Sequence, residues 1–208
     1  MKKLIIVLFL LFLTSCSKKL FNEKWTQEKA PDYFKARFET TEGSFDIEVK
    51  REWSPVGVDR LYQLIKSGFY TDVAIFRVVP NFVAQFGIHN NNELNTLWDS
   101  YKIEDEEVSV QNKEMTIAFA RGGRKSRTTQ IFINLKDNLR LDKLDYNGVK
   151  GFPVVAKVIE GKENVLNFYK GYGDKLGRKQ DSIKKYGNDF LKRKYPEVDY
   201  IIKAYIVK

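Results

Sequence analysis

Apolar and polar residues alternate along much of this chain, and the period of that alternation changes at recognisable punctuation. From Lys35, Ala36, Phe38 and Thr40 alternate with Lys35, Arg37 and Glu39. After Thr41-Glu42-Gly43, Phe45, Ile47 and Val49 alternate with Ser44, Asp46, Glu48 and Lys50. This spacing predicts a β-hairpin with one buried face. Ser54-Pro55 then offers an N-cap and a proline at the first helical position. Val58, Leu61, Leu64 and Ile65 form a helical stripe, which Gly68 is placed to end. Short strands are expected over 74–79, 82–86, 115–120, 130–134 and 154–159, and a second helix from Lys162 to about Tyr169. The polar stretch 170–196 carries Ile183, Tyr186 and Phe190 at helical spacing and stops at Pro196. Tyr200, Ile202, Ala204 and Ile206 alternate again as a last strand. Many short strands, two core helices and a closing strand point to a mainly β domain, a closed antiparallel barrel capped by two helices, since closure removes exposed strand edges.

The first residues have a different pattern. Lys2 and Lys3 precede Leu4–Leu13, an apolar run of ten residues, which is short for a membrane span and suits the apolar region of a secretory signal. The run ends in Leu13-Thr14-Ser15-Cys16, which resembles the lipobox of bacterial lipoproteins. That resemblance implies cleavage of residues 1–15 and lipidation at Cys16, with acyl chains contributing about 0.8 kcal/mol per buried methylene. The competing readings are an ordinary signal peptide and an uncleaved anchor. Residues 16–33, polar and without a clear period, read as the lipidated Cys and a tether, and 34–208 as the folded domain. The expected location is the bacterial cell envelope, lipid-anchored at the membrane through Cys16. Ser17 gives no inner-membrane retention signal, which favours the outer membrane, facing the periplasm.

Charge and chemistry narrow the function. The net charge of +9 includes Lys2 and Lys3, so cleavage would leave +7. Outside the cytoplasm such a surface implies anionic lipid or acidic polymers rather than nucleic acid, or a solvated surface with no partner. Cys16 is the single cysteine and His89 the single histidine. They cannot build a Cys/His or multi-His metal site, and no nucleophile elbow, Walker A or dinucleotide motif occurs. No cofactor or metal is expected. His89 reads as an exposed loop residue. The chemistry must do without a metal, a covalent intermediate or a strong base.

One segment is informative. Phe76-Arg77-Val78-Val79-Pro80-Asn81-Phe82-Val83-Ala84-Gln85-Phe86-Gly87 resembles the cyclophilin signature F-H-R-x-x-P-x-F-x-x-Q-G-G. Thr129-Gln130-Ile131-Phe132-Ile133 is similar to the family's S-Q-F-F-I strand. Leu139-Arg140-Leu141-Asp142, with Gly151-Phe152-Pro153-Val154-Val155-Ala156-Lys157-Val158 beyond an insertion, is similar to its L-D…F-G-K-V segment. The resemblance covers about residues 35–169 and the last strand, and three ordered matches make it specific. It implies a closed eight-stranded barrel capped by two helices, with an added helical insertion over 170–197 before the last strand. It also implies peptidyl-prolyl cis-trans isomerase activity on proline-containing segments of exported proteins.

The resemblance assigns roles position by position. Arg77 falls on the catalytic arginine. Phe82, Phe132 and Leu141 fall on the apolar wall around the proline ring, and Gln85 on the glutamine that binds the substrate backbone and orients the arginine. Ala120 and Arg121 fall on the Ala-Asn pair lining the peptide groove, Gln130 on the substrate-binding strand, and Phe152 where many members have His. Without the motif, Arg77 would read as a surface arginine, Phe82 and Phe132 as core aromatics, and Gln85 as a structural hydrogen-bonding residue.

Four positions depart from the pattern: Phe76 for His, Phe86 for Gly, Arg121 for Asn and Arg140 for a frequent Trp. Arg121, Arg124, Lys125 and Arg127 would place four cations on the groove rim, which predicts either a preference for acidic residues flanking the proline or a solvated loop without preference. The insertion reads as a packing device. The alternative function is a barrel that binds proline-containing segments without turnover, a chaperone-like envelope lipoprotein.

Overall fold

The structure, a computed structural model, describes residues 20–207; Cys16 and the expected signal lie outside them. The first hairpin forms as the alternation predicts. β1 (Tyr33–Thr40) and β2 (Gly43–Lys50) pair in register from Tyr33↔Lys50 to Thr40↔Gly43. Phe34, Ala36 and Phe38 join Phe45, Ile47 and Val49 in the core. α1 (Pro55–Lys66) follows. Gly68, at φ +77°, ends it, a conformation that glycine adopts without penalty. Ser54 is its N-cap residue but makes no side-chain cap bond to the helix. Its hydroxyl donates instead to Glu106, whose carboxylate accepts the backbone N–H groups of Val56 (2.8 Å) and Gly57 (3.0 Å).

The strand expected over 74–79 is two strands. β3 (Val73–Ala74) and β4 (Arg77–Val79) are followed by β5 (Val83–Phe86), α2 (Asn92–Asp99), β6 (Thr116–Phe119) and β7 (Ile131–Asn134). Next come a small hairpin of β8 (Asp145–Tyr146) and β9 (Val149–Lys150), β10 (Val154–Glu160) and α3 (Lys162–Asn167). α4 (Gly173–Gly177), α5 (Gln180–Lys194) and β11 (Tyr200–Val207) complete the chain. Gly187, with non-helical torsions, breaks α5 in its middle.

The expected closed eight-stranded barrel is corrected. Nine strands form one curled, open sheet in the order β3-β11-β1-β2-β10-β6-β7-β5-β4. Its two end strands are separated along the chain only by Ile75-Phe76, so the sheet must curl round on itself, yet no ladder joins β3 to β4. The two-helix cap is also too simple: α2 was not expected, and the insertion adds α4 and α5. Where β11 pairs with β1 the register shifts between Glu39 and Thr40 of β1, a bulge on β11 that leaves Ile202 exposed and buries Ile201. That bulge defeats the simple two-residue alternation there.

The segment expected to be a tether lies, from Leu20 onward, against the domain. Phe21 and Trp25 pack on the core, Phe21 meeting Trp98 edge-to-face at 5.2 Å. His89 is not an exposed loop residue. Its ring packs on Phe69 at 5.4 Å, its Nδ1 accepts the Asn91 N–H, and burial pushes its pKa below the ordinary value.

Candidate active site

β5, β6 and β7 are apolar on both faces. Ala84, Phe86, Ile117, Phe119, Ile131 and Ile133 point into the main core, while Val83, Ala118 and Phe132 point outward with Leu141 and Phe152 to form a second, smaller cluster. The outward face is a groove floor. Across it runs one row of cross-strand partners, Arg77↔Gln85↔Phe132↔Ala118. Residues directly opposite one another project from the same face of a sheet. Strand register alone therefore sets the arginine, the glutamine and the aromatic ring side by side, and Ala118 keeps the row's far end shallow.

The groove has a volume of about 410 Å³. Arg77, Phe82, Gln85, Ala120, Arg121, Phe132, Leu141 and Phe152 all line it. Gln130 lines an adjoining hollow of about 260 Å³, which shares Gln85, Ala120 and Arg121. Every catalytic and substrate-binding residue expected from the sequence is thus brought to one surface, while the expected lipidation site, Cys16, lies outside the described residues. Phe132 and Phe152 meet edge-to-face at 5.8 Å. Phe82 is flanked by two guanidinium groups, Arg77 at 5.5 Å and Arg140 at 5.0 Å from its ring centre. Arg140 thus supplies a flat cation over Phe82 where the family pattern frequently has Trp.

Polar contacts fix the row. Arg77 donates from Nη1 to Gln85 Oε1 (3.0 Å) and from Nε to Asp174 Oδ1 (2.6 Å). Gln85 Nε2 donates to Gln130 Oε1 (2.9 Å), and Gln130 Nε2 donates to Gln180 Oε1 (2.9 Å). The apolar wall is held from behind by buried asparagines. Asn112 donates from Nδ2 to Asp142 Oδ1 (2.8 Å) and to the Phe152 carbonyl (2.9 Å), and Asn138 donates to the Phe82 carbonyl (2.9 Å). Asn134 links them, donating to Asn112 and accepting from Asn138. Buried polar groups joined in this way specify one arrangement, because each lost partner leaves another unsatisfied.

The basic rim is corrected. Arg127 is fully buried and pairs with Glu106 at 3.0 Å. Arg121 is buried as well. It stacks on Phe152 at 4.5 Å and donates to the Val149 carbonyl. Burial pushes its guanidinium below the ordinary value, Asp105 opposing and Arg127 reinforcing the shift. Of the four cations only Arg124 and Lys125 face solvent, and these are occupied with the Gly148 carbonyl and Glu104.

Other departures have local reasons. Phe86 turns away from the groove into the core against Phe38 and Tyr70. Of the two positions after Gln85, the one that requires glycine is Gly87, at φ +111°, where a Cβ would lie 2.4 Å from the Thr129 carbonyl oxygen. Phe76 is buried in a separate cluster with Leu176, Ile183, Leu191 and Val198. A phenyl ring beside the arginine therefore seats the insertion. Asp174, Gly177, Arg178 and Gln180 also line the groove, and no sequence motif marks them. The partners of Asp174 and Gln180 lie 97 and 50 positions away, beyond any local pattern.

This geometry agrees with the comparisons to known proteins. The family model for cyclophilin type peptidyl-prolyl cis-trans isomerase/CLD matches residues 35–188. A Dickeya dadantii protein named peptidyl-prolyl cis-trans isomerase A is 30% identical over 127 residues, 60% of this chain and 65% of that protein. A Streptomyces antibioticus peptidyl-prolyl cis-trans isomerase is 30% identical over 137 residues, 64% of this chain and 80% of that protein. The chain spans about two-thirds of the length of the bacterial relatives first matched, the Dickeya protein and one from Acinetobacter baylyi (66%). A Cryptosporidium parvum cyclophilin-type isomerase structure superimposes with a TM-score of 0.61 at 15% identity, covering 85% of this chain and 98% of that one, which supports the fold. The match of the family model over residues 35–188, which include the row of Arg77, Gln85 and Phe132, places the chain in the cyclophilin-type peptidyl-prolyl cis-trans isomerase family.

Proposed function

We propose that the chain catalyses cis–trans isomerisation of X–Pro bonds, with Arg77 as the catalytic residue. The supporting observation is the convergence of one cationic donor, a fixed amide and an apolar wall on a single groove. Amide resonance sets a barrier of about 18–20 kcal/mol. At the twisted state the proline nitrogen becomes pyramidal and gains a lone pair. Arg77, held through Nε and Nη1, keeps Nη2 without a partner among the described residues. A donor placed there bonds the lone pair in the transition state and hardly at all in the planar ground state, which is differential binding. Phe82, Phe132, Leu141 and Phe152 hold the ring while the preceding carbonyl turns, and Gln85, Ala120, Arg121 and Gln130 border the path of the peptide. Arginine suits the task because it stays charged and planar.

The relatives carry the isomerase name, and one solved Cryptosporidium parvum cyclophilin was obtained in the presence of the dipeptide Ala-Pro. We extend the proposal to the setting: the resemblance of the run ending at Cys16 to a lipobox supports a lipid-anchored envelope protein, on the outer membrane and facing the periplasm, acting on proline-containing segments of exported proteins. The test is the isomerisation rate of a short X–Pro peptide with the chain and with Arg77→Ala. Loss of a charge-assisted hydrogen bond, about 1.5–3 kcal/mol, predicts a fall of roughly ten- to a hundred-fold. A folded protein that binds the peptide without accelerating it would support the holding role instead.

A further inference from the structure

The insertion between α3 and β11 packs through α5 against α2, and its first part also borders the groove. Leu176 of α4 is buried against Phe76, the residue preceding Arg77. Gly177 lies so close to Arg77 that a Cβ there would sit 2.9 Å from the arginine Cδ. Asp174 takes the Nε–H of Arg77 at 2.6 Å. At the other side of the row, Gln180, the first residue of α5, accepts from Gln130. The polar chain Asp174–Arg77–Gln85–Gln130–Gln180 therefore begins and ends on the insertion.

Its bonds have one sense. Arg77 can only donate, so Gln85 must offer Oε1 to it and Nε2 to Gln130. Gln130 then accepts with Oε1 and donates to Gln180. A guanidinium held at Nε by a carboxylate and at Nη1 by an amide has its plane fixed, with Nη2 as the remaining donor. Asp174 is half-exposed, at 52% of its side chain against 22% for Arg77. Solvent therefore screens its charge, and what it chiefly contributes is orientation.

We propose that the insertion is a working part of the active site, with Asp174 and Gln180 as positioning residues for Arg77 and Gln85. The inference rests on Arg77 being the catalytic residue. Misplacement of a catalytic group by an ångström can cost about a hundred-fold; loss of one of two anchors is expected to lower kcat roughly ten-fold.

The experiment compares the full chain with Asp174→Ala, Asp174→Asn, Gln180→Ala and Arg77→Ala, in steady-state isomerisation of an X–Pro peptide. The Nε–H resonance of Arg77 is followed by NMR. Asp174→Ala should lower kcat with KM changed less than about two-fold, and shift the Arg77 Nε–H signal upfield as its carboxylate partner is lost. Asp174→Asn, which still offers an acceptor oxygen, should recover most of kcat, and Gln180→Ala should lower kcat about three-fold through Gln85. Unchanged or raised kcat in Asp174→Ala, while Arg77→Ala is inactive, would overturn the inference. So would equal losses in Asp174→Asn and Asp174→Ala, which would assign the effect to charge. Full activity in Arg77→Ala would instead overturn the reading on which the inference rests.

Discussion

Removing the carboxylate of Glu106 is expected to be among the most damaging single changes outside the groove. That carboxylate serves four donors: the Ser54 hydroxyl, the N–H groups of Val56 and Gly57 at the start of α1, and Nη2 of Arg127 at 3.0 Å. Arg127 has no exposed side-chain surface, and its Nε and Nη1 have no hydrogen-bond partner among the described residues. Its remaining anchor is the Glu104 carbonyl. Glu106→Ala would leave a buried cation without a counter-charge, a loss of about 3–5 kcal/mol, and would remove a helix cap of about 1 kcal/mol. The two effects share Glu106 and do not add fully, so about 4 kcal/mol is expected. For a domain of this size that lowers Tm by about 8–16 °C. Urea unfolding measures the difference directly, with an unchanged m-value showing that the denatured state is not altered.

The second half of the experiment isolates the cause. In Glu106→Ala with Arg127→Met, the unpaired charge is gone and a side chain of similar volume fills the site. Buried pairs exchanged for packed apolar residues are commonly neutral in stability, so the double variant should regain all but the cap, about 1 kcal/mol. A loss below about 1 kcal/mol in Glu106→Ala, or a double variant no more stable than the single one, would refute the account of Arg127 as a buried charge held by Glu106.

Asn112→Ala should cost about 2–4 kcal/mol in urea unfolding, because Asp142, the Phe152 carbonyl and Asn134 each lose a buried partner; in steady-state kinetics KM should rise more than kcat falls, as Leu141 and Phe152 are freed. His89 is neutral in the fold and its Nδ1 accepts a backbone N–H. Its pKa is lowered by burial, so its stabilising contribution is complete above pH 6.5 and is lost as pH falls toward the lower folded value. His89→Gln should therefore show a smaller drop in thermal midpoint between pH 7.5 and 5 than the parent chain. Because Arg121 and Arg127 are buried, peptides with Glu or Lys after the proline should be turned over at rates within about three-fold of each other, with little dependence on salt; a preference for Glu above about ten-fold at low salt would restore the basic rim.

The residues proposed to seat the proline were legible because they fall on the three family motifs, although the strands that carry Gln85 and Phe132 are apolar on both faces and show no alternation. The motif places Arg77 and Gln85 eight residues apart around a turn, which makes them cross-strand neighbours. Two further elements had readable signals. Asn147-Gly148, both at positive φ, is a strong hairpin signature and forms the β8–β9 turn. Asn91 caps α2, with Leu94, Leu97 and Trp98 at helical spacing beyond it. The rim was misread for a physical reason. A run such as Arg121–Arg127, rich in glycine and cations, looks solvated until Glu104, Glu106 and Phe152 are brought to it by the fold. The curl of the sheet was equally hidden, since only the break at Ile75-Phe76 sends β3 and β4 to opposite ends.

One departure from the family pattern, Phe76, is connected to the insertion. A histidine beside Arg77 would place a polar ring among Leu176, Ile183, Leu191 and Val198, and it would need a hydrogen-bond partner there. Phe76 needs none, and it supplies the apolar seat on which α4 rests. Once α4 is seated, Asp174 and Gly177 are opposite Arg77 without further adjustment, Gly177 being open enough for the arginine stem to pass. The substitution and the insertion thus form one structural unit. Phe76→His should loosen α4 and, through it, Arg77. The loss of kcat it produces should be smaller in a chain that already carries Asp174→Ala, because both changes release the same anchor, whereas independent effects would multiply.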